Sequence, residues 1–363
     1  MKTLDYRFIR PLAWTCGLVA VACLPRLGAG QTAGANSAQP ATSAPATASQ
    51  PATPPSPAVL PGKGAMAHPF LYAGEWDTRK PNAQSIVIVK DGKIVWQYSI
   101  NIKADRGGNQ EFDDATLLSD GNIIFSSMAG AGMVSPEKKI VWEYKAPVGS
   151  EVHSIQAIGR DRVLLMRNGT GANPAQAMIF NTATNTLEKT IPIPTTSTSV
   201  HGQFRHIRMT ANQTLLVPHM SEGKVVEYDL EGKALRTVQV PSPWAAVPLK
   251  NGNMLVTSNR NFVREINAKG ETVWEFTQAD APDYKLLNTQ TAYRLANGNT
   301  VISNWCAGKN DYENWPGTVQ FIEVTPEKKV VWALREWKDP LDLGPSTSIQ
   351  FLDEPGDPRE QQR

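Results

Sequence analysis

Cysteine is scarce in this chain. Of the 363 residues three are cysteines, and Cys16 and Cys23 fall within the first thirty, so Cys306 stands alone in the rest and no internal disulfide can brace the fold. Long apolar runs are missing too: the stretch over 13–24 is shorter than a membrane-spanning helix needs. Between 31 and 62 there is no charged residue at all. Also absent are a serine nucleophile elbow, a phosphate loop, paired zinc cysteines and a dinucleotide fingerprint, which excludes the chemistries those motifs carry. Gly107-Gly108 and Gly130-Ala131-Gly132 read as turns.

The N-terminus is laid out as an export signal. Lys2, Arg7 and Arg10 precede the apolar stretch and small residues follow it, so residues 1–30 are expected to be a signal peptide. Ala20-Val21-Ala22-Cys23 offers the alternative of a lipoprotein signal with lipid anchoring at Cys23. Residues 31–67 are expected to be a disordered Pro/Ala/Ser/Thr-rich tether, since seven prolines between 31 and 62 leave little apolar surface to bury. Without residues 1–30, which carry Lys2, Arg7, Arg10 and Arg26 against Asp5, the formal charge of +2 falls to about −1. The basic balance belongs to the leader, so no nucleic-acid partner is expected and a monomer is.

The remainder is repetitive. Lys93-Ile94-Val95-Trp96, Lys139-Ile140-Val141-Trp142, Glu271-Thr272-Val273-Trp274 and Lys329-Val330-Val331-Trp332 are β-branched runs ending on tryptophan, each after a tight polar turn. Turns such as Asn251-Gly252 and Lys269-Gly270 supply the positive φ of tight hairpins, giving four short antiparallel strands per repeat. The strand before the first turn ends at Leu118, Ile158, Met209, Leu249 and Leu295, spacings of 40, 51, 40 and 46 residues that mark five complete units. Residues 346–352 repeat the frame of 153–158 with nothing after them, while 70–74, 85–89 and 94–98 are three strands without an inner partner. The C-terminal strand is therefore expected to complete the first blade. The fold class is all-β, a six-bladed β-propeller over 68–353 with a flexible tail over 354–363; seven blades is the alternative, if 104–110 or 310–315 hides strands. The repeated tryptophans are assigned to the frame between blades.

Connection lengths separate two faces. The Gly-containing turns share one, and the long connections 101–111, 193–202, 277–288, 306–317 and 338–345 share the other, where binding residues are expected. On the repeat frame His153 aligns with Asp113, Phe204, Trp244, Gln290 and Thr347, and His219 with Met128, Asn168, Asn259 and Trp305, as rings around the channel mouth. His206, in mid-strand, is expected to be structural, as is Cys306, a small packed side chain. Histidine acid-base or nucleophilic chemistry would use His153 and His201, with Arg205, Arg167 or Arg260 for developing charge. Binding without catalysis would use Trp244 and Trp305 with Asp113, Asn168, His219, Asn259 and Gln290, which suits a small or oligomeric polar ligand such as a carbohydrate. A divalent metal on His153, His201, His219 and Asp113 is the lesser alternative, without a local metal-spacing motif.

The unit over 266–276 resembles the repeats of the pyrroloquinoline-quinone-like propellers, and the Leu-x-Asn-Gly-Asn pieces at Leu249 and Leu295 resemble bacterial arylsulfotransferase propellers. The likeness covers nearly all of 68–353 and includes uncharacterised exported propellers, which His201-Gly202-Gln203-Phe204 resembles. The quinone-dependent members imply adjacent cysteines near the cofactor; this chain has none, so no quinone is expected. The arylsulfotransferases imply a channel histidine with histidine and arginine partners, matched in type by His153, His201 and Arg205. The expected function is an exported ligand-binding propeller, with a histidine-dependent sulfotransferase-like or polysaccharide-lyase-like enzyme, or an envelope protein-interaction scaffold, as alternatives.

Overall fold

A computed structural model describes residues 56–105, 107–307, 312–360 and 362. The signal peptide, the lipoprotein alternative at Cys23 and the tether as far as residue 55 lie outside the described residues, as do four positions of the 306–317 connection. Within them the chain forms six four-stranded antiparallel sheets, each a blade of a β-propeller. The stretch 104–110 contributes only the isolated bridge Lys103↔Asn109, not a further blade. No described helix is long and apolar enough to cross a membrane.

The first blade is assembled from both ends of the chain. Its innermost strand, Ser348–Phe351, pairs antiparallel with Phe70–Ala73, in the register Phe70↔Phe351 to Ala73↔Ser348. Outside these lie Gln84–Lys90 and Lys93–Ile100. The innermost strands of the second to sixth blades are Phe112–Leu117, Glu151–Ala157, Arg208–Met209, Pro243–Pro248 and Ala292–Arg294. Strand alternation sends their apolar residues between blades, where Phe70, Tyr72, Trp332 and Phe351 share one cluster. The rings of Trp332 and Phe351 meet edge to face at 5.2 Å.

Two of the frame tryptophans, Trp142 and Trp332, are buried, and Trp96 and Trp274 are half-buried. Three of them also make a polar link. Trp96 and Trp274 each donate Nε1 to a proline carbonyl of the following blade, Pro136 and Pro326, at 2.8 Å, and Trp332 donates to Gly64 at 2.9 Å. The segment before the first blade thus takes the place of a blade turn.

The described part of that segment, 56–67, lies against the blades. Arg335 donates to the carbonyls of Pro57 and Ala58 at 2.7 and 2.8 Å, and Leu60 and Ala65 pack into the hydrophobic clusters of the blades. Gly62, at φ 73°, lies so close to Trp332 that an added Cβ would stand 2.8 Å from the tryptophan Cβ. Composition could not reveal this, because the partners are more than two hundred residues away. The tail over 354–363 is likewise laid on the propeller in its described part. Glu354 accepts from the Ala296 amide at 2.9 Å, Glu360 from Gln156 at 2.8 Å, and Gln362 bridges to Leu118, so the tail contacts the short-turn ends of the sixth, third and second blades.

Phe351→Ala empties the joint between the chain ends. It is expected to destabilise the whole propeller by about 3–5 kcal/mol in urea unfolding; a loss of less than about 1 kcal/mol would contradict a load shared through this strand.

Candidate functional site

The second and third blades begin alike. Glu111-Phe112-Asp113 and Glu151-Val152-His153 occupy the same places, with Phe112 and Val152 fully buried in the core. Both innermost strands then shift register, between Phe112 and Asp114 and between Val152 and Ile155, as does the fifth between Pro243 and Ala246. A bulge re-aims the residues it contains. Asp113, His153 and Trp244 lie in these three bulges, at the long-loop mouth of the channel.

From Asp113 a hydrogen-bonded chain runs outward. Asp113 Oδ1 lies 2.7 Å from His153 Nδ1, His153 Nε2 lies 2.8 Å from Glu151 Oε2, and the same oxygen lies 2.9 Å from His201 Nδ1. Asp113 and His153 are buried, whereas the His201 side chain is 56% exposed. On the other side of Asp113 stand Glu75, which follows the strand Phe70–Ala73, and Glu111. Thr347 donates to Glu75 Oε2, and its hydroxyl also lies 3.2 Å from the Asp113 carbonyl. Arg205, 1% exposed, donates Nη1 to the Phe204 carbonyl at 3.1 Å, and its guanidinium lies 4.6 Å over the Trp244 ring.

Like charge at close range sets the electrostatics. Burial, and then the neighbouring carboxylates, push Glu75 and Glu111 well above the usual carboxylate range. Glu151 goes the other way: burial opposes its ionisation, but hydrogen bonds from His153 and His201 hold it far below. For His153 burial and Arg205 oppose protonation, and Asp113 and Glu151 outweigh them, so its pKa is raised. His153 therefore sits as a cation between two carboxylates. The contact to Glu151 Oε2 engages His201 at Nδ1 and leaves its Nε2 on the far side of the ring from that carboxylate.

The predicted site residues separate into two groups. His153, His201, Asp113, Arg205 and Trp244 come together. Asn168 serves the same place indirectly, donating to the Val200 and Phe204 carbonyls at 3.0 Å each and so holding the loop that bears His201 and Arg205. Asn259 and Gln290 bond each other at 3.2 Å. Trp305 packs with Cys306, Trp315 and Trp337 in a satellite cluster, and burial pushes the Cys306 thiol up to about 12. Arg167 is occupied with the Pro174 carbonyl at 3.0 Å. Trp244 is buried, with Arg205 lying over one face of its indole. Sequence reasoning missed Glu75, Glu111 and Glu151. The forty-residue offset that pairs Asp113 with His153 also pairs Glu111 with Glu151, and was a usable signal; Glu75 needed the register of the composite blade.

No protein-family profile matches the chain, and no curated protein matches it. Among solved structures it is similar to a protein of unknown function from Bacteroides caccae, at 23% identity and a TM-score of 0.67 over 78% of this chain and 98% of that one. A streptogramin B lyase aligns at 15% identity and a TM-score of 0.49 over 77% and 85%, and BamB from Moraxella catarrhalis at 11% and 0.41 over 61% and 67%. The likeness at these identities is one of fold alone.

The remaining histidines are structural in their surroundings. His219 Nε2 is hydrogen-bonded to the Tyr228 hydroxyl at 3.0 Å, its Nδ1 lies 3.4 Å from Glu222, and its ring meets Phe204 at 4.8 Å. His206 is buried with Nδ1 3.9 Å from Asp114. Burial lowers both to about 4. Each is neutral when folded and takes up a proton when unfolded below its ordinary pKa, so its contribution is complete at neutral pH and is lost as pH falls towards 4. Urea unfolding is expected to show a loss of about 1 kcal/mol per histidine near pH 5.5. His219→Gln should flatten that dependence; an unchanged profile would place the shift elsewhere.

Proposed function

We propose that this propeller is an exported enzyme that binds a small polar ligand, or the end of an oligomeric one, at the long-loop mouth and moves a proton on it with His201 as general base. One observation carries the proposal: a single oxygen, Glu151 Oε2, faces both His201 Nδ1 and His153 Nε2. A carboxylate on the far nitrogen fixes the tautomer of a catalytic histidine and stabilises the imidazolium that forms when it takes a proton. His201 Nε2 has no hydrogen-bond partner among the described residues, and the ring is largely exposed.

His153 is unsuited to attack. Both of its nitrogens are engaged by carboxylates, so it works as a fixed cation that keeps Glu151 ionised. This favours proton abstraction, as in a lyase, over the histidine nucleophile that the arylsulfotransferase resemblance implies. Arg205, buried on Trp244, supplies positive charge for an anion developing in the site. The non-catalytic carbohydrate reading is weakened by the covered indole of Trp244.

The reading is tested by incubating the protein in D2O with panels of uronic-acid glycans, sulfate esters and hydroxy acids, following exchange and turnover by NMR. For any active compound His201→Asn should cost at least a hundredfold with thermal unfolding unchanged, and Glu151→Gln at least tenfold. A folded His201→Asn protein with full turnover would refute the base assignment, and ligand binding with no exchange or turnover would leave a binding protein.

A further inference from the structure

The acidic half of the cluster is not explained by proton transfer at His201. Glu75, Glu111 and Asp113 each bring a carboxylate oxygen to within 4.8 Å of the others, and all three residues are buried. They come from two places in the chain, Glu75 after the strand Phe70–Ala73 and Glu111 and Asp113 at the entry of the second blade, brought together by the closure of the first blade. Placing three carboxylates together out of water is costly unless something positive joins them.

Among the described residues neither Glu75 nor Glu111 forms an ion pair, and Asp113 pairs only with His153. Arg205 is near enough to be felt but makes no ion pair with any of the three, its guanidinium being laid over Trp244. A second observation is separate from the crowding. Glu111, 6% exposed, has no hydrogen-bond partner among the described residues, and its buried Oε2 and the buried Oδ2 of Asp113 are both unsatisfied. A buried acceptor is normally satisfied, and an orphaned carboxylate oxygen directed at other carboxylates is an acceptor waiting for a cation.

We propose that Glu75, Glu111 and Asp113 form a divalent cation site at the mouth of the channel. The donors are all carboxylate oxygens, which select a hard ion, Ca2+, Mg2+ or Mn2+, over zinc or copper. Thr347 orients Glu75 and His153 orients Asp113 from behind, the outer contacts that such ligands ordinarily have. This site differs from the metal set expected from sequence: of His153, His201, His219 and Asp113 it keeps Asp113 alone. It stands independently of the role given to His201.

The test uses the purified, chelator-treated protein titrated with CaCl2, MgCl2 and MnCl2, by calorimetry and thermal unfolding. At least one ion should bind with one-to-one stoichiometry and raise the unfolding temperature at saturation. Glu111→Gln and Glu75→Gln should each weaken binding at least tenfold. Both variants should unfold, without metal, at or above the temperature of the metal-free wild type, since each removes a crowded carboxylate; lost binding then cannot be ascribed to misfolding. The site is refuted if none of the three ions binds at millimolar concentration, or if binding is unchanged in both glutamine variants. It is equally refuted if His201→Asn abolishes binding while Glu111→Gln does not, which would move the ion to the histidines.

Discussion

Pairing of Ser348–Phe351 with Phe70–Ala73 is the constraint on which the rest depends. A ring of blades has no stable open form of the same shape, because an unclosed ring leaves two sheet edges and the flanks of two blades in water. Once the last strand enters the first blade, the starts of all six innermost strands are brought to one mouth. Glu75 and Thr347 owe their meeting with Asp113 to that strand pair, since one follows Phe70–Ala73 and the other precedes Ser348–Phe351. Fold stability and site assembly are therefore the same event, with Trp332 and Phe351 buried in one cluster at the joint.

The site is built from a conflict that the scaffold contains. Glu151 is held towards its ionised form by hydrogen bonds from His153 and His201, whereas Glu75 and Glu111 are held towards their neutral forms by burial and by neighbouring carboxylates. Carboxyl groups of opposite tendency sit within one hydrogen-bonded neighbourhood. Such separation of acidities is what a fold needs to hold, move or exchange positive charge, as protons or as metal ions, near neutral pH. The bulges at Asp113, His153 and Trp244 are the local means, because each turns side chains out of the regular alternation of a strand.

The sequence made the architecture legible through repetition. Tryptophan-ended strands and Gly turns recur at blade spacing because each blade must bury the same flank, and the split first blade followed from counting strands at the two ends. His153, His201, Asp113 and Arg205 could be found because the repeat frame aligns the starts of innermost strands. The partnership among them could not, since hydrogen bonds between blades depend on bulges that leave no mark in a hydrophobic pattern. His219 and Asn259 illustrate the limit. They share a frame position with one another, yet one faces Tyr228 and the other Gln290. Alignment on a frame gives a side chain's address and not its direction. The contacts of 56–60 and 354–360 could not be read for a different reason: their partners, Arg335, Ala296 and Gln156 among them, are far away in sequence.

The C-terminal segment laid on the short-turn end also links blades that are not all neighbours. With Glu354 on the Ala296 amide, Glu360 against Gln156 and Gln362 bridged to Leu118, residues of the sixth, third and second blades are held by one short stretch of chain, so splaying the ring at that end would have to break those contacts.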